Sequence, residues 1–410
     1  MVEGDRQSRA LETMARLAPK RLRKPEDLMA LHESALFVRA FPPSPRIASA
    51  ADNILFFFAS RMEAVDADPF DDPAISGIAG TAVSSNFSYE FARSLVRRYK
   101  AAVSIDWENF SRPDRLGAVL APLLPQAKEA YAVEPHVDWR AWFERSHCSL
   151  RWLLERTDPR TYDLLEVPIR WDLGDSAGSR SRLRLERSQR FYHRGPLLKR
   201  SDVSIESEFA APRIRLTKLG ARGAARALDA IVDASAARYR ELYGFLHPDA
   251  ANVYHAPLGR GVDLYFFGVS PEKRLPIRAY HSGMYFKNGV PTGYVEAMSR
   301  AGRMDIGFNL YYTFRDGETA WIFARILKLL RQEFRVSCFS VDPYQLGQCN
   351  EEAIESGAFW FYRKLGFESA SKEVASLVAR EEAKIAAHPG YRTPPAILRK
   401  LAAAPLHLRL

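Results

Sequence analysis

The stretch that decides the fold runs Asn350-Glu-Glu-Ala-Ile-Glu-Ser-Gly357-Ala358-Phe-Trp-Phe-Tyr362-Arg-Lys-Leu-Gly366-Phe367. Its apolar residues recur at helical spacing, which predicts a helix from Asn350 to Leu365. Asn350 suits an N-cap, because its side-chain oxygen can accept from a free N–H of the first turn. Gly366 suits a left-handed C-cap, with Phe367 packing back onto the last turn. Capping alone therefore accounts for the Gly-Phe exit.

Upstream, Val336 to Val341 reads as a short strand and Glu318 to Phe334 as a long amphipathic helix, with Trp321, Ile322, Ile326, Leu329 and Leu330 inward. Before it, Val262–Val269, Ser282–Phe286, Thr292–Ser299 and Met304–Thr313 read as strands. Lys287-Asn288-Gly289-Val290 forms a tight turn, since Asn-Gly readily takes the positive φ angles a hairpin requires. Arg222 to Tyr243 is helical. Residues 26–165 are mainly helical and broken by prolines such as Pro42, Pro45, Pro69 and Pro125. The aromatic stripe Trp139, Trp142, Phe143 and Trp152 is expected in the core.

The expected organisation is a flexible basic arm over 1–25 and a mainly helical region over 26–204, with an arginine-rich connector near 180–200. A mixed-sheet domain follows over 205–375, then a helical extension over 376–410. The class is α+β or α/β. At 410 residues the chain holds about two domains. With 47% hydrophobic and 26% charged residues, it is expected to be folded along its length.

The net charge of +10 favours a polyanionic partner, either nucleic acid or a phosphate-rich cofactor. The local bias is strongest at Arg180, Arg182, Arg184, Arg187, Arg190 and Arg194, interleaved with Phe191 and Tyr192. Such a segment can track an RNA backbone through Arg182, Arg184 and Arg187, or form a solvated face paired to acids elsewhere. Cys148, Cys338 and Cys349 form no CxxC pair, and no histidines stand at HExxH spacing, so no metal is expected. The apolar run Ile54–Ala59 is far shorter than the ~20 residues a membrane span needs. The N-terminus carries Glu3, Asp5 and Glu12 and no long apolar segment, which makes the cytoplasm the expected location.

The order of meander strands, helix, strand, helix and closing strand resembles the GNAT acyltransferase superfamily, over roughly the second half of the chain. In that superfamily an asparagine starts the last helix, an alanine lies inside it, and a tyrosine precedes a Lys-x-Gly-Phe exit. Asn350, Ala358, Tyr362, Lys364, Gly366 and Phe367 occupy those places. The turn Arg315-Asp316-Gly317-Glu318-Thr319-Ala320 is similar to the superfamily's pyrophosphate turn, where helix N–H groups and the helix dipole hold phosphates. It departs from the family pattern in its glycine spacing and in the acids Asp316 and Glu318, which would repel a pyrophosphate or simply complement the helix dipole.

The resemblance implies an acyl-coenzyme-A-dependent N-acyltransferase, acetyl-coenzyme A being the expected donor, acting on an amine. Tyr362 would be the acid toward the leaving thiolate, and backbone N–H groups near Ala297 and Met298 the oxyanion contact. Glu296, beside that strand, is the expected base. Arg315, Gly317, Thr319, Ala320 and Asn350 would bind the cofactor; Asn309, Asp342 and Gln345 would contact donor or acceptor. His281 is either a core histidine or a cleft residue. The helical first half would serve as lid, substrate site or homodimer surface. Two other readings stay open, namely an acyl or aminoacyl group delivered by RNA, and a noncatalytic RNA- or protein-binding module on a decayed scaffold.

Overall fold

The computed structural model describes residues 6–410 apart from 64, 135, 188 and 389. Two sheets organise it. A small antiparallel sheet, β1 (Ala82–Ser85), β2 (Val103–Ile105) and β3 (Ile169–Asp172), has the order β1-β3-β2 and sits among the helices of the first half. Prolines that break the helical pattern largely start the next helix. Pro25, Pro45, Pro125 and Pro159 all occupy first-turn positions, where a missing N–H costs nothing.

The large sheet contains β4 (Thr217–Lys218), β5 (Pro248–Gly259), β6 (Val262–Val269), β7 (Ala279–Lys287), β8 (Val290–Arg300), β9 (Arg303–Leu310), β10 (Cys338–Val341), β11 (Glu368–Ser369) and β12 (Leu406–Arg409). Its order is β11-β12-β10-β9-β8-β7-β6-β5-β4, antiparallel except for the parallel pair β9–β10. The helix Thr319–Phe334 makes the crossover between those two strands, as a parallel connection requires. The Asn288-Gly289 turn joins β7 to β8 with φ of 50° and 82°, the left-handed geometry that its sequence favours.

Alternation along the strands divides the core between the two faces. Met284, Phe286 and Tyr294 face the helices of the first half. Tyr285, Val295, Ile306 and Phe308 face the helix Thr319–Phe334 through Phe323 and Ile326. The first core is continuous with Leu31, Phe37, Phe91 and Trp171, so no linker separates the halves near residue 204.

Several elements differ from the sequence expectations, among them the helix expected over Arg222–Tyr243, which ends at Ala236. Residues 1–5 of the expected arm lie outside the described residues, but Arg6–Leu17 is a helix that buries Ala10, Met14 and Leu17. The expected helix 350–365 breaks at Gly357, which takes φ 66° and separates Glu351–Glu355 from Ala358–Arg363. The C-terminal extension is not wholly helical. After the helices Lys372–Ala387 and Pro395–Leu401, the chain returns as β12, inserting between β10 and β11 and burying Leu406 and Leu408.

Candidate functional site at the splay of β9 and β10

β9 and β10 pair only from Arg303–Asp305 to Cys338–Ser340. Beyond this β9 continues to Leu310, whereas β10 stops at Val341 because Asp342 caps the turn Pro343–Leu346, its carboxylate accepting from Tyr344 N at 2.9 Å. The two strands therefore splay, and the edge of β9 from Ile306 to Leu310 that faces away from β8 has no strand beside it among the described residues. A cavity of about 340 Å³ opens there, within the size range of small-ligand sites.

Six of the expected site residues line this cavity: Asn309, Arg315, Thr319, Gln345, Asn350 and Tyr362. Their surroundings separate scaffold from free groups. Asn350 is an N-cap, accepting from Ala353 N at 3.2 Å and donating to Tyr344 O at 3.1 Å. Thr319 donates to Arg315 O at 3.1 Å, and Arg315 pairs with Glu352 at 2.6 Å. The side-chain amides of Asn309 and Gln345 have no hydrogen-bond partner among the described residues. Tyr362 is packed between Phe323 and Phe367, and burial raises its phenol well above the ordinary value, so it stays protonated.

Residues from both faces of the sheet line the cavity. Phe308, Phe361 and Tyr362 line it from the side of the helix Thr319–Phe334. Asn309 points to the opposite face, as does Gly307, over which Gln345 lies. On that opposite face a second cavity of about 420 Å³ shares Asn309, Leu310, Arg315 and Glu352 with the first.

Other expected residues lie elsewhere. Glu296, Ala297 and Met298 sit on β8, paired on both sides, to Ser282, His281 and Tyr280 of β7 and to Gly307, Ile306 and Asp305 of β9. Their backbone groups belong to the ladder, one strand away from the splay. Glu296 alternates with Val295 and so faces away from Tyr362. Burial pushes its carboxyl up to about 7, and Tyr280 donates its hydroxyl to it. His281 is half-buried against Ser299, with burial lowering it to about 4. Gly317 packs under Phe41, and Ala320 is buried. Asp342 is consumed as a cap.

Glu318 corrects the sequence reading of the turn. Its carboxylate turns away from the cavity into the interior, where it is fully buried and accepts from Arg260 Nε at 2.9 Å and Lys287 Nζ at 3.0 Å. Burial pushes it up, but the Arg260 hydrogen bonds and the Lys287 charge outweigh burial and hold it below the usual range. Of the two acids, only Asp316 remains at the mouth, exposed and 3.4 Å from Arg9.

The arginines offered to RNA are engaged with carboxylates: Arg182 with Asp175 at 3.3 Å, Arg184 with Asp52 at 3.2 Å and Arg187 with Asp263 at 2.5 Å. Arg180 is buried on Glu33 at 2.8 Å. A larger cavity of about 1030 Å³ lies in the first half, beside Trp107, Phe143 and Arg97. Its arginines are spent locally, Arg97 on Asp229, Arg140 on Glu144 and Arg151 on Glu155, and burial raises its Cys148 thiol, which disfavours the thiolate. Among the described residues no group of His, Cys, Asp and Glu is placed to hold a metal, and no helix is long and apolar enough to cross a membrane. No family model matches the chain, and neither does any curated protein or solved structure.

Proposed function

We propose that this protein is a cytoplasmic N-acyltransferase of GNAT type, with the splay of β9 and β10 as its reaction site and an acyl-coenzyme A as donor. The observation that carries the reading is the pair of cavities at that splay, which share Asn309, Leu310, Arg315 and Glu352. They give a thioester and an amine separate approaches that meet beside Asn309 and Tyr362. The residues present fit the donor. The free amides of Asn309 and Gln345 match the amides of a pantetheine arm, and Arg315 with the start of the helix Thr319–Phe334 matches a pyrophosphate.

In the transfer, the C–N bond to the acyl carbon forms as the C–S bond breaks, the leaving thiolate takes the proton of Tyr362, and the second proton shed by the newly bonded nitrogen restores the phenol. The amine arrives as ammonium and must first lose a proton. Glu352 lines both cavities and takes the base role expected of Glu296. Its present partner is Arg315, so a phosphate drawn to Arg315 would release the Glu352 carboxylate at the junction.

Coenzyme A or acetyl-coenzyme A at millimolar concentration should raise the Tm. Thiol release with an amine panel should fall about 10-fold to 100-fold in kcat for Tyr362→Phe, with KM little changed. An unmoved Tm at saturating donor would overturn the donor assignment. Unchanged kcat in Tyr362→Phe would overturn the acid.

A further inference from the structure

We propose that the cavity on the Tyr294 side of the splay is a carboxylate-binding site, which makes the acceptor an amine bearing its own carboxylate, of the amino-acid class. The assignment to an acceptor rests on the acyl-transfer reading above; the carboxylate site stands on its own geometry.

The site is built around Arg238, at the end of the helix Ala221–Ala236. Only 3% of this residue is exposed, yet its side chain lines the cavity. One donor, Nη1, reaches Ala234 O at 2.9 Å, and the guanidinium lies 3.9 Å over the Tyr311 ring. No carboxylate among the described residues pairs with it. Its remaining donors have no partner among them either. A buried guanidinium without an anion is costly, and arginine keeps its charge where lysine would shed it. Burial, and after it the charge of Arg180, lowers Arg238 to about 9, the direction expected of an uncompensated cation.

The charges around it do not balance. Arg180 and Arg238 both lie near the single carboxylate Glu33, which is already committed to Arg180 at 2.8 Å and to the Thr313 hydroxyl. His32, beside Glu33, is held neutral, lowered by burial to about 4. One positive charge therefore remains buried at the wall of an open cavity. A second unsatisfied group adjoins it: Tyr311 lines the same cavity, and its hydroxyl is buried with no partner among the described residues. A planar carboxylate can accept two parallel bonds from a guanidinium fork and a third from a phenol.

The rim has the opposite sign. Asp72, Glu352 and Glu355 are exposed around the mouth, against Arg240 and Arg315, which leaves the rim net acidic by one charge. A dianionic phosphate would exceed the one buried charge and meet these acids, whereas a zwitterion matches both zones. Its carboxylate goes to Arg238, and its ammonium lies toward Glu352 at the junction with the cleft, where transfer takes place.

The test uses the full chain without donor. Thermal shift and calorimetry are run with each of the twenty common L-amino acids, with the corresponding amino-acid amides, and with inorganic phosphate. At least one amino acid should bind at millimolar concentration or below, its amide at least 10-fold more weakly and phosphate no better than the amide. Arg238→Met should abolish that binding while leaving the free protein as stable as the parent, because it removes an unpaired buried charge. Tyr311→Phe should weaken binding severalfold with the fold intact. The proposal is overturned if no amino acid binds, if amides or phosphate bind equally, or if both variants bind like the parent. Failure of the two readings can be told apart. Carboxylate binding without acyl transfer to any bound acid sinks the transferase alone, whereas equal kcat/KM on amides and acids sinks only the carboxylate site.

Discussion

Replacing Glu318 by Gln should be among the most damaging single changes near the site. Glu318 bears two cations: Lys287, itself fully buried, and Arg260, which approaches through Nε at 2.9 Å. In Glu318→Gln the Lys287 ammonium loses its carboxylate partner and keeps neutral contacts: an amide oxygen, the Arg260 carbonyl at 2.6 Å and the faces of Phe41 and Phe191, at 4.8 and 5.3 Å. Breaking a buried pair in this way costs about 3–5 kcal/mol, a large part of an ordinary domain's stability. Lys287→Met is milder. It leaves Glu318 held by Arg260, so the loss is that of a charged hydrogen bond, about 1–3 kcal/mol.

The double variant should resemble Glu318→Gln without the stranded charge, giving a coupling of about 2–3 kcal/mol between the two positions. Urea unfolding at pH 7, followed by tryptophan fluorescence with Trp321 on the adjoining helix, measures all three. The sign of the pH dependence follows from the depressed carboxyl of Glu318. Its stabilisation is present above the unfolded value near 4.5 and fades as pH falls below it, so the acid limb of the parent should be steeper than that of Glu318→Gln. A Glu318→Gln loss under about 1 kcal/mol, a larger loss in Lys287→Met, or simple additivity would refute the reasoning.

Glu296 should behave in the opposite sense. Its folded value, about 7, lies above the unfolded 4.5, so the protonated form stabilises the fold below 4.5 and that contribution disappears as pH rises through 7. Glu296→Gln should therefore gain stability relative to the parent between pH 5 and pH 8, and parallel unfolding curves would show that the carboxyl is not perturbed. Gly289→Ala should lose more than about 1 kcal/mol, since φ is 82° and a new Cβ would meet the Leu185 carbonyl. Gly223→Ala, in an open helical position, should gain up to about 1 kcal/mol, and urea midpoints moving the same way in both would contradict the backbone argument.

The sequence made some elements legible because their signals are local. The helix Thr319–Phe334 carries a sustained apolar stripe, and Asn288-Gly289 specifies a hairpin through φ angles that few other residues accept. Gly357 was harder, because a glycine inside an apolar helical pattern reads equally as a tolerated interior residue or a break. β12 was missed because Leu406-His-Leu408 is too short to distinguish alternation from a helical turn, and its partner β10 lies some 65 residues upstream. Among site residues, Asn309, Gln345 and Tyr362 sit next to legible element ends and converge on the cavity. Glu296 does not. Strand alternation reveals which residues share a face, but nothing local tells which strand borders a splay.

The same distinction explains why Arg238 escaped the sequence reading and why the first half cannot be treated as an appendage. In Ala236-Ala-Arg238-Tyr-Arg240, read as the last turns of a helix running to Tyr243, an arginine suggests a solvated charge; the helix in fact ends at Ala236. Only the packing of the first-half core against Met284, Phe286 and Tyr294 encloses it. Arg180 and Glu33, far apart in sequence, then meet Thr313 just after β9 and set the charge that Arg238 leaves over. The strands and the crossover helix make a splay; the first half makes one side of it polar, buried and charged. The selectivity proposed for an acceptor therefore rests on both halves: Arg238 and Tyr311 come from the second, and Glu33 and Arg180 of the first set the charge that Arg238 leaves over.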